Sequence, residues 1–564
     1  MENQRLLLYF TLFFISYLLW AEWQMDYGPK PEATVAETTA PAQQQEVAEV
    51  PEAAATPDEA AFVESSQQQQ ADRQRINVIT DVLDIEIDTR GGDIRKAVLR
   101  QYSKTAENPE QKLVLMSDTE TNFFIAQSGL VSVNANTAPT HNAVYAAEKT
   151  DYRLAEGVDE IRVPLQWTGE NGVRVNKIYT FRRGEYVIDL QHAVEAGSEN
   201  WSGSQYMQLV RTPPLEDDSN AFIRTYTGGV VFNDAIKYEK VDFEDIAEQN
   251  LKATIGDGCL NINNSQKGCE LTGGWLAMMQ HYFLAAWIPE AGIDNLFYSK
   301  NPSNTYKYLL GARSTAQKIP AQSTGSFNTQ LVIGPKLQNQ LEQIAPGLEL
   351  TVDYGILTII AKPLFWLLDI FHGWFGNWGW AIIFLTITVK AIFYKLSEMS
   401  YRSMAKMRKV APRIKQMKER FGDDRQAMSK AMMDMYKREK INPMGGCFPI
   451  LVQMPVFIAL YWVLLESVEM RYAPFILWID NLSAKDPYFI LPIIMGVSMW
   501  IQQKLNPAPV DPVQQKIFQY MPFVFTAMFA FFPSGLVLYW VVNNLLSITQ
   551  QWVITKRIEQ GASV

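Results

Sequence analysis

The chain has 564 residues, enough for several domains, and its 48% hydrophobic content and formal charge of −10 are averages over two unlike parts. Residues 1–353 carry a net −19 and residues 354–564 a net +9. That split excludes a uniformly soluble chain: the acidic part reads as soluble and exported, the basic part as embedded in a membrane.

Arg5 followed by the apolar stretch Leu6–Trp20 fits a cleaved signal peptide or a retained anchor. No small-x-small cleavage site follows, and Trp20, Trp23 and Tyr27 have the make-up of an interfacial aromatic belt. Residues 1–27 are therefore read as a transmembrane anchor, shorter than the ~20 apolar residues usual for a span. Residues 28–74 form an acidic low-complexity linker, with nine acidic and no basic residues between 31 and 72. Such a stretch buries too little apolar surface to offset ordering, which predicts an extended tether.

Residues 75–345 read as one large β-sandwich. Asp84–Asp88 alternates, Thr89-Arg-Gly-Gly92 supplies a turn, and Asn171-Gly172 sits between two apolar-alternating runs as a hairpin signal. Ile178–Phe181, Arg182-Arg-Gly-Glu185 and Tyr186–Leu190 repeat the pattern. His141, His192 and His281 have no metal spacing, and no HExxH, phosphate loop or G-x-S-x-G occurs, so the domain reads as a binding or scaffolding module. Cys259 and Cys269 bracket a short polar loop; a disulfide is permitted in an exported domain, and two free thiols are the alternative. No metal site and no cofactor are expected, and Cys447 reads as a packing residue.

After Asp353 the character changes. Residues 352–373 suit an amphipathic helix at the membrane surface, and His372–Gly379 reads as a turn. Spans are assigned to 378–396, 447–467, 488–504, 517–532 and 535–555, several with only about 16 apolar residues. Pro449, Pro455, Pro492 and Pro522 predict kinks. Loop 395–441 has 14 basic against 6 acidic residues, a cytoplasmic signal, whereas loop 469–487 is acidic and faces outward. Together with the anchor this gives six spans, both termini cytoplasmic, the β-domain outside and a short tail at 556–564.

Between the first two of these spans, residues 398–440 read as a helical hairpin. Met404, Met407, Ile414, Met417 and Phe421 recur at helical spacing on one arm, and Met428, Ala431, Met432, Met435 and Tyr436 on the other. Gly422 and Asp424 supply a C-cap and an N-cap, and Pro412 bends or restarts the first arm. The outer basic face, with Lys406, Arg408, Lys415 and Lys418, suits RNA phosphates or anionic lipid; an ordinary solvated face is the alternative.

Lys390 stands out. An ammonium inside a membrane helix costs about 2.5–3.5 kcal/mol, which marks it as functional, although a lysine near a helix end also snorkels to the headgroups. It belongs to a four-residue-step stripe, Ile382, Thr386, Lys390 and Tyr394, and the last span carries a second stripe in Tyr539, Asn543, Ser547 and Gln550, at steps of four, four and three. Gln453 adds a polar group beside Pro455. Amides and hydroxyls serve equally as glue between helices, but glue needs no cation, so the set points to a hydrated cavity.

Five segments carry a resemblance to the YidC/Oxa/Alb family of membrane protein insertases: Met404-Ala-Lys-Met-Arg-Lys409, Asn442–Pro449 running into Gln453-Met-Pro455, Pro474-Phe-Ile-Leu-Trp478, Asp511-Pro-Val-Gln-Gln-Lys516 and Phe532-Pro-Ser-Gly-Leu-Val-Leu-Tyr539. The acidic linker and exported domain resemble the Gram-negative form of the family. The resemblance implies a polytopic α-helical membrane protein with a large periplasmic all-β supersandwich, a cytoplasmic helical hairpin and a five-helix insertase core over 378–555. It implies a groove of Lys390, Thr386, Gln453, Tyr539, Asn543 and Ser547 that receives the hydrophilic flank of a nascent membrane protein. It implies an apolar slide on Met454, Val456, Phe523 and Phe525 that releases the client to lipid, without enzymatic chemistry or a small-molecule substrate. The implied partners are nascent membrane proteins, the Sec translocon (SecYEG and SecDF), the ribosome and membrane lipids. The family usually has arginine where this chain has Lys390, which keeps the charge and loses the planar fork. The rival class is a transporter or channel using Lys390 as a substrate site, but the repeated halves common in transporters are not seen. An envelope scaffold acting through the sandwich would leave Lys390 unexplained.

Overall fold

The computed structural model describes residues 73–559 apart from 215–224, 249–250, 252–267, 302–305, 422–423, 440–447 and 507–511. The anchor, almost all of the linker, Cys259, Cys447 and the last five residues of the tail lie outside the described residues. The chain divides into two compact units, Met1–Thr351 and Val352–Val564.

The first unit is built from an eleven-stranded and a nine-stranded sheet. Local sequence explains the strands. In Arg174–Arg182, Val175, Lys177, Tyr179 and Phe181 are buried while the intervening residues are not, the period of two that one covered face imposes. Its hairpin partner Glu160–Thr168 is joined to it through Glu170–Gly172, where Asn171 (φ 56°) and Gly172 (φ 77°) take the left-handed conformations that an Asn-Gly pair tolerates. The 89–92 and 182–185 segments turn the chain in the same way between paired strands. The core between the sheets is apolar, with Ile85, Ile94 and Leu209 from the larger sheet and Val175, Ile188 and Leu331 from the smaller. It is also crossed by polar bonds. Lys177 Nζ donates to Gly91 O and Ser128 O at 2.8 and 2.9 Å, and Trp287 Nε1 donates to Gln208 O at 3.2 Å. Two of the histidines are bonded inside this core: His141 Nδ1 lies 2.6 Å from Tyr206 Oη, and His192 Nδ1 lies 3.0 Å from Gln205 Nε2. Cys269, buried in Gly268–Thr272, is disulfide-bonded.

The second unit is helical. We number its helices α1 (Thr358–Phe375), α2 (Trp378–Ile392), α3 (Tyr394–Phe421), α4 (Arg425–Arg438), α5 (Phe448–Glu466), α6 (Ile490–Leu505), α7 (Pro512–Phe529) and α8 (Ser534–Glu559). α8 packs on α2, α3 and α6, and α1 packs on α2 and α5. α1 runs through His372, where a turn was expected; Gly376 in the left-handed conformation ends it, and Asn377 caps α2 by accepting from Trp380 N. α1 leaves Ile359, Trp366 and Trp374 exposed.

Two further elements differ in detail from the expectations. The span read at 378–396 is two helices, with a break at Phe393 and a bend of 67° between α2 and the start of α3. No single described helix is long and apolar enough to cross a membrane, although that bent pair meets the criterion together. α3 continues through Pro412 without restarting. The hairpin arms pack through Val410 and Ile414 with Met407, Met417, Met432, Met435 and Tyr436, and Asp424 Oδ1 caps α4 by accepting from Ala427 N at 3.0 Å.

One end of the bundle is stapled by the loop between α5 and α6. Buried Asp486 accepts from Trp478 Nε1, Tyr488 N and Leu491 N, and Asn377 Nδ2 donates to Pro474 O. Ser534 donates through both N and Oγ to Ala484 O at 2.7 Å. These bonds fix the N-termini of α2, α6 and α8 to a single loop.

Candidate functional site

Lys390 lies in the last turn of α2 and is 8% exposed. Its Nζ donates to Ser547 Oγ of α8 at 2.7 Å, and among the described residues no carboxylate stands within ion-pair distance of it. An ammonium has three N–H donors, so two remain for another partner. Ser547 has no comparable reserve: its single hydroxyl hydrogen is donated to Asn543 O at 2.7 Å while its oxygen accepts from Lys390.

Asn543 extends the site to α5, where Gln453 Nε2 donates to Asn543 Oδ1 at 3.3 Å. Gln550, one turn beyond Ser547, donates to Tyr394 O at 3.3 Å across the α2–α3 break. The structure thus brings Lys390, Ser547, Asn543 and Gln453 together. It does not bring Thr386 or Tyr539 into that network. Thr386 Oγ1 donates to Ile382 O of its own helix at 2.7 Å, the usual solution for a hydroxyl in an apolar helix. Tyr539 is buried against Phe457, with ring centroids 6.1 Å apart at 26°. Tyr394 lies beyond the break and does not extend the α2 stripe.

The packing of α3 on α8 was missed because nothing in the sequence ties the start of the basic hairpin to the last helix. A second polar seam on α8 was missed as well: Asn544 and Gln551 are buried and bond α6 rather than the Lys390 group. Their seven-residue spacing was the available signal.

Of the apolar slide residues, Met454 on α5 and Phe523 on α7 are 41% and 65% exposed, while Val456 and Phe525 are half-buried. Phe525 stacks on Phe529, at 6.0 Å and 24°. On the hairpin Lys406 is exposed; the side chains of Arg408, Lys415 and Lys418 lie outside the described ones. In the first unit a cavity of about 880 Å³ opens on the outer face of the nine-stranded sheet, lined by groups that include Arg182, Asp189, Gln191 and Asn328. No group of three metal-ligating side chains is found among the described residues.

Residues 75–367 match a family model described as the YidC periplasmic domain, and residues 370–561 match one described as 60Kd inner membrane protein. Proteins called membrane protein insertase YidC from Methylococcus capsulatus and Thioalkalivibrio sulfidiphilus are each 50% identical to the chain, covering 100% of it and 100% and 99% of their own lengths. A crystal structure described as active YidC insertase with its first transmembrane domain resolved is similar at a TM-score of 0.38 and 16% identity, over 85% of this chain and 92% of that one. Matched along both of its units and at half identity over its whole length, the chain belongs to the YidC family of membrane protein insertases.

Proposed function

We propose that the chain inserts nascent proteins into the bacterial inner membrane, with Lys390 as the charge that receives a client's hydrophilic flank. One observation carries this reading. The Lys390 ammonium is buried, holds a single neutral partner in Ser547 and has donors left over. Attraction between such a charge and an acidic residue is several-fold stronger in a partly dry cavity than in bulk water. Gln453, Asn543 and Ser547 line the groove with Lys390, and Thr386 and Tyr539 form its drier wall. The stapled loop between α5 and α6 supports an outer side that is closed, with the groove open to cytoplasm and lipid.

Clients leave along the faces of α5 and α7 that carry Met454, Val456, Phe523 and Phe525. Moving their apolar area out of water, at about 25 cal/mol per Å², drives release without a nucleotide. The topology in this reading has six spans. Residues 1–27 are the anchor, both termini are cytoplasmic, and the sandwich, closed by a Cys259–Cys269 disulfide, is periplasmic. The hairpin at 398–440 meets ribosome and anionic lipid through Lys406, Arg408, Lys415 and Lys418, and the Sec translocon is the membrane partner. The names of the relatives support the activity.

The test is insertion of one single-span client series differing only in the charge of its translocated tail. Lys390→Arg keeps activity, Lys390→Ala loses the acidic-tailed clients first, and Lys390→Glu loses them more severely. Equal insertion by wild type and Lys390→Ala across the series, at matched expression, ends the groove-charge reading.

A further inference from the structure

Beside the groove, α8 carries a second line of amides. Buried Asn544 donates through Nδ2 to Ser498 Oγ of α6 at 3.0 Å, and Ser498 Oγ donates in turn to Met495 O at 2.6 Å. Two turns on, buried Gln551 donates through Nε2 to Leu505 O at 3.2 Å and to Asn506 Oδ1 at 3.0 Å. Residues seven apart share one helix face, so both amides bond the same neighbour while Asn543 and Ser547 serve α5 and α2.

α6 in turn holds α7. At Gly496 the two helices approach so closely that an added Cβ would lie 2.0 Å from Thr526 Oγ1, and Gln503 Nε2 bonds Phe518 O. Among the described residues α7 has no polar bond to α5 or α8. What holds it there is aromatic: Phe529 lies 6.3 Å from Phe457 and 5.4 Å from Trp540 between ring centroids. Polar bonds in water-poor surroundings resist sliding, because a shift leaves a group unpaired. Aromatic pairs tolerate a range of offsets and tilts.

We infer that Asn544 and Gln551 are positioning residues: by fixing α6 to α8, and through α6 the helix α7, they set the spacing of α7 from α5. The inference rests on the reading of the α5 and α7 faces as the client's exit, and it names the side chains outside the groove that keep those faces at their working spacing.

The experiment uses the full chain in liposomes, with spin labels at Ile458 on α5 and Val524 on α7, both exposed and outside the groove and slide sets. Asn544→Leu and, separately, Gln551→Leu broaden the label-to-label distance distribution. Each also lowers client insertion about three-fold per lost bond, the size of a typical hydrogen bond between membrane helices. The loss is equal for acidic and neutral tails, because Lys390 is untouched. Exchanging the partners, with Ser498→Asn and Asn544→Ser together, restores the bond in reverse and with it both the narrow distribution and insertion. A role in packing alone predicts no such rescue. Unchanged distances in both leucine variants, or a swap that restores neither readout, overturns the inference. If the wild type inserts no client while the distances respond as stated, the insertase reading fails and the clamp stands.

Discussion

Lys177 in the first unit and Lys390 in the second are both buried, and they are treated differently. Lys177 in the sandwich is fully buried, donates to Gly91 O and Ser128 O, and lies 5.9 and 5.5 Å from the Tyr145 and Tyr179 ring centroids. Burial pushes its ammonium down to about 8, and the charge of Asp93 opposes that shift without cancelling it. Lys390 in the helical unit has one hydroxyl and no carboxylate among the described residues. A lysine closed by carbonyls of the opposite sheet has its charge committed to holding two sheets together. A lysine with donors in reserve is placed for something that arrives.

The comparison breaks most visibly at Lys390. Lys390→Glu is expected to reduce insertion of acidic-tailed clients by about tenfold or more, equivalent to ~1.4 kcal/mol, and to spare basic-tailed ones. A uniform loss across tail charges would make Lys390 structural, like Lys177.

The next effect is on stability. Lys177→Met leaves two buried carbonyls without their donor and removes the penalty of burying a charge, for a net loss of about 2 kcal/mol in the sandwich. Its pH signature is sharper. The folded value lies below the ordinary 10.5, so between about 8 and 10.5 the unfolded chain binds more protons, and stability rises with pH through that window. Below pH 8 the burial penalty is present in full. Thermal unfolding of the β-rich unit in purified full-length protein should show wild type gaining about 1 kcal/mol from pH 7 to 9. Lys177→Met should gain none of it, and parallel slopes in the two proteins would remove the contrast between the lysines.

Smaller again is charge reversal at Lys406, Arg408, Lys415 and Lys418. Ribosome co-sedimentation should fall a few-fold, with the residual binding less dependent on salt. Unchanged binding across salt would return that face to plain solvation. The smallest expected effect is that of deleting residues 35–320, which should leave insertion within about two-fold in a complementation assay, since the committed lysine serves only its own sandwich. Loss of insertion with the truncated protein present at normal level would show that the first unit takes part.

Much of this was legible along the chain. The Asn171-Gly172 hairpin, the period-two strands and the methionine faces of α3 and α4 are local patterns, and local patterns survive folding because they set which side of an element is apolar. Asp424 as the cap of α4 was readable for the same reason. The polar stripe of α2 was only partly so. A threonine in an apolar helix can bond its own i−4 carbonyl, so polarity at position 386 says nothing about what the helix faces. The break at Phe393 carries no proline or glycine to announce it.

The sequence by itself determined that the chain has two unlike parts, roughly where the later helices and a few of the strands lie, and that Lys390 needs an explanation. Only the tertiary structure decided that Lys390 meets Ser547, 157 residues away, that Lys177 crosses from one sheet to the other, and that Asn544 and its neighbour Asn543 serve different helices. The physical reason is geometric. Periodicity fixes a residue's direction around its own axis, whereas a hydrogen bond between elements also needs the rotation, height and crossing of both, which the packing of the whole unit sets.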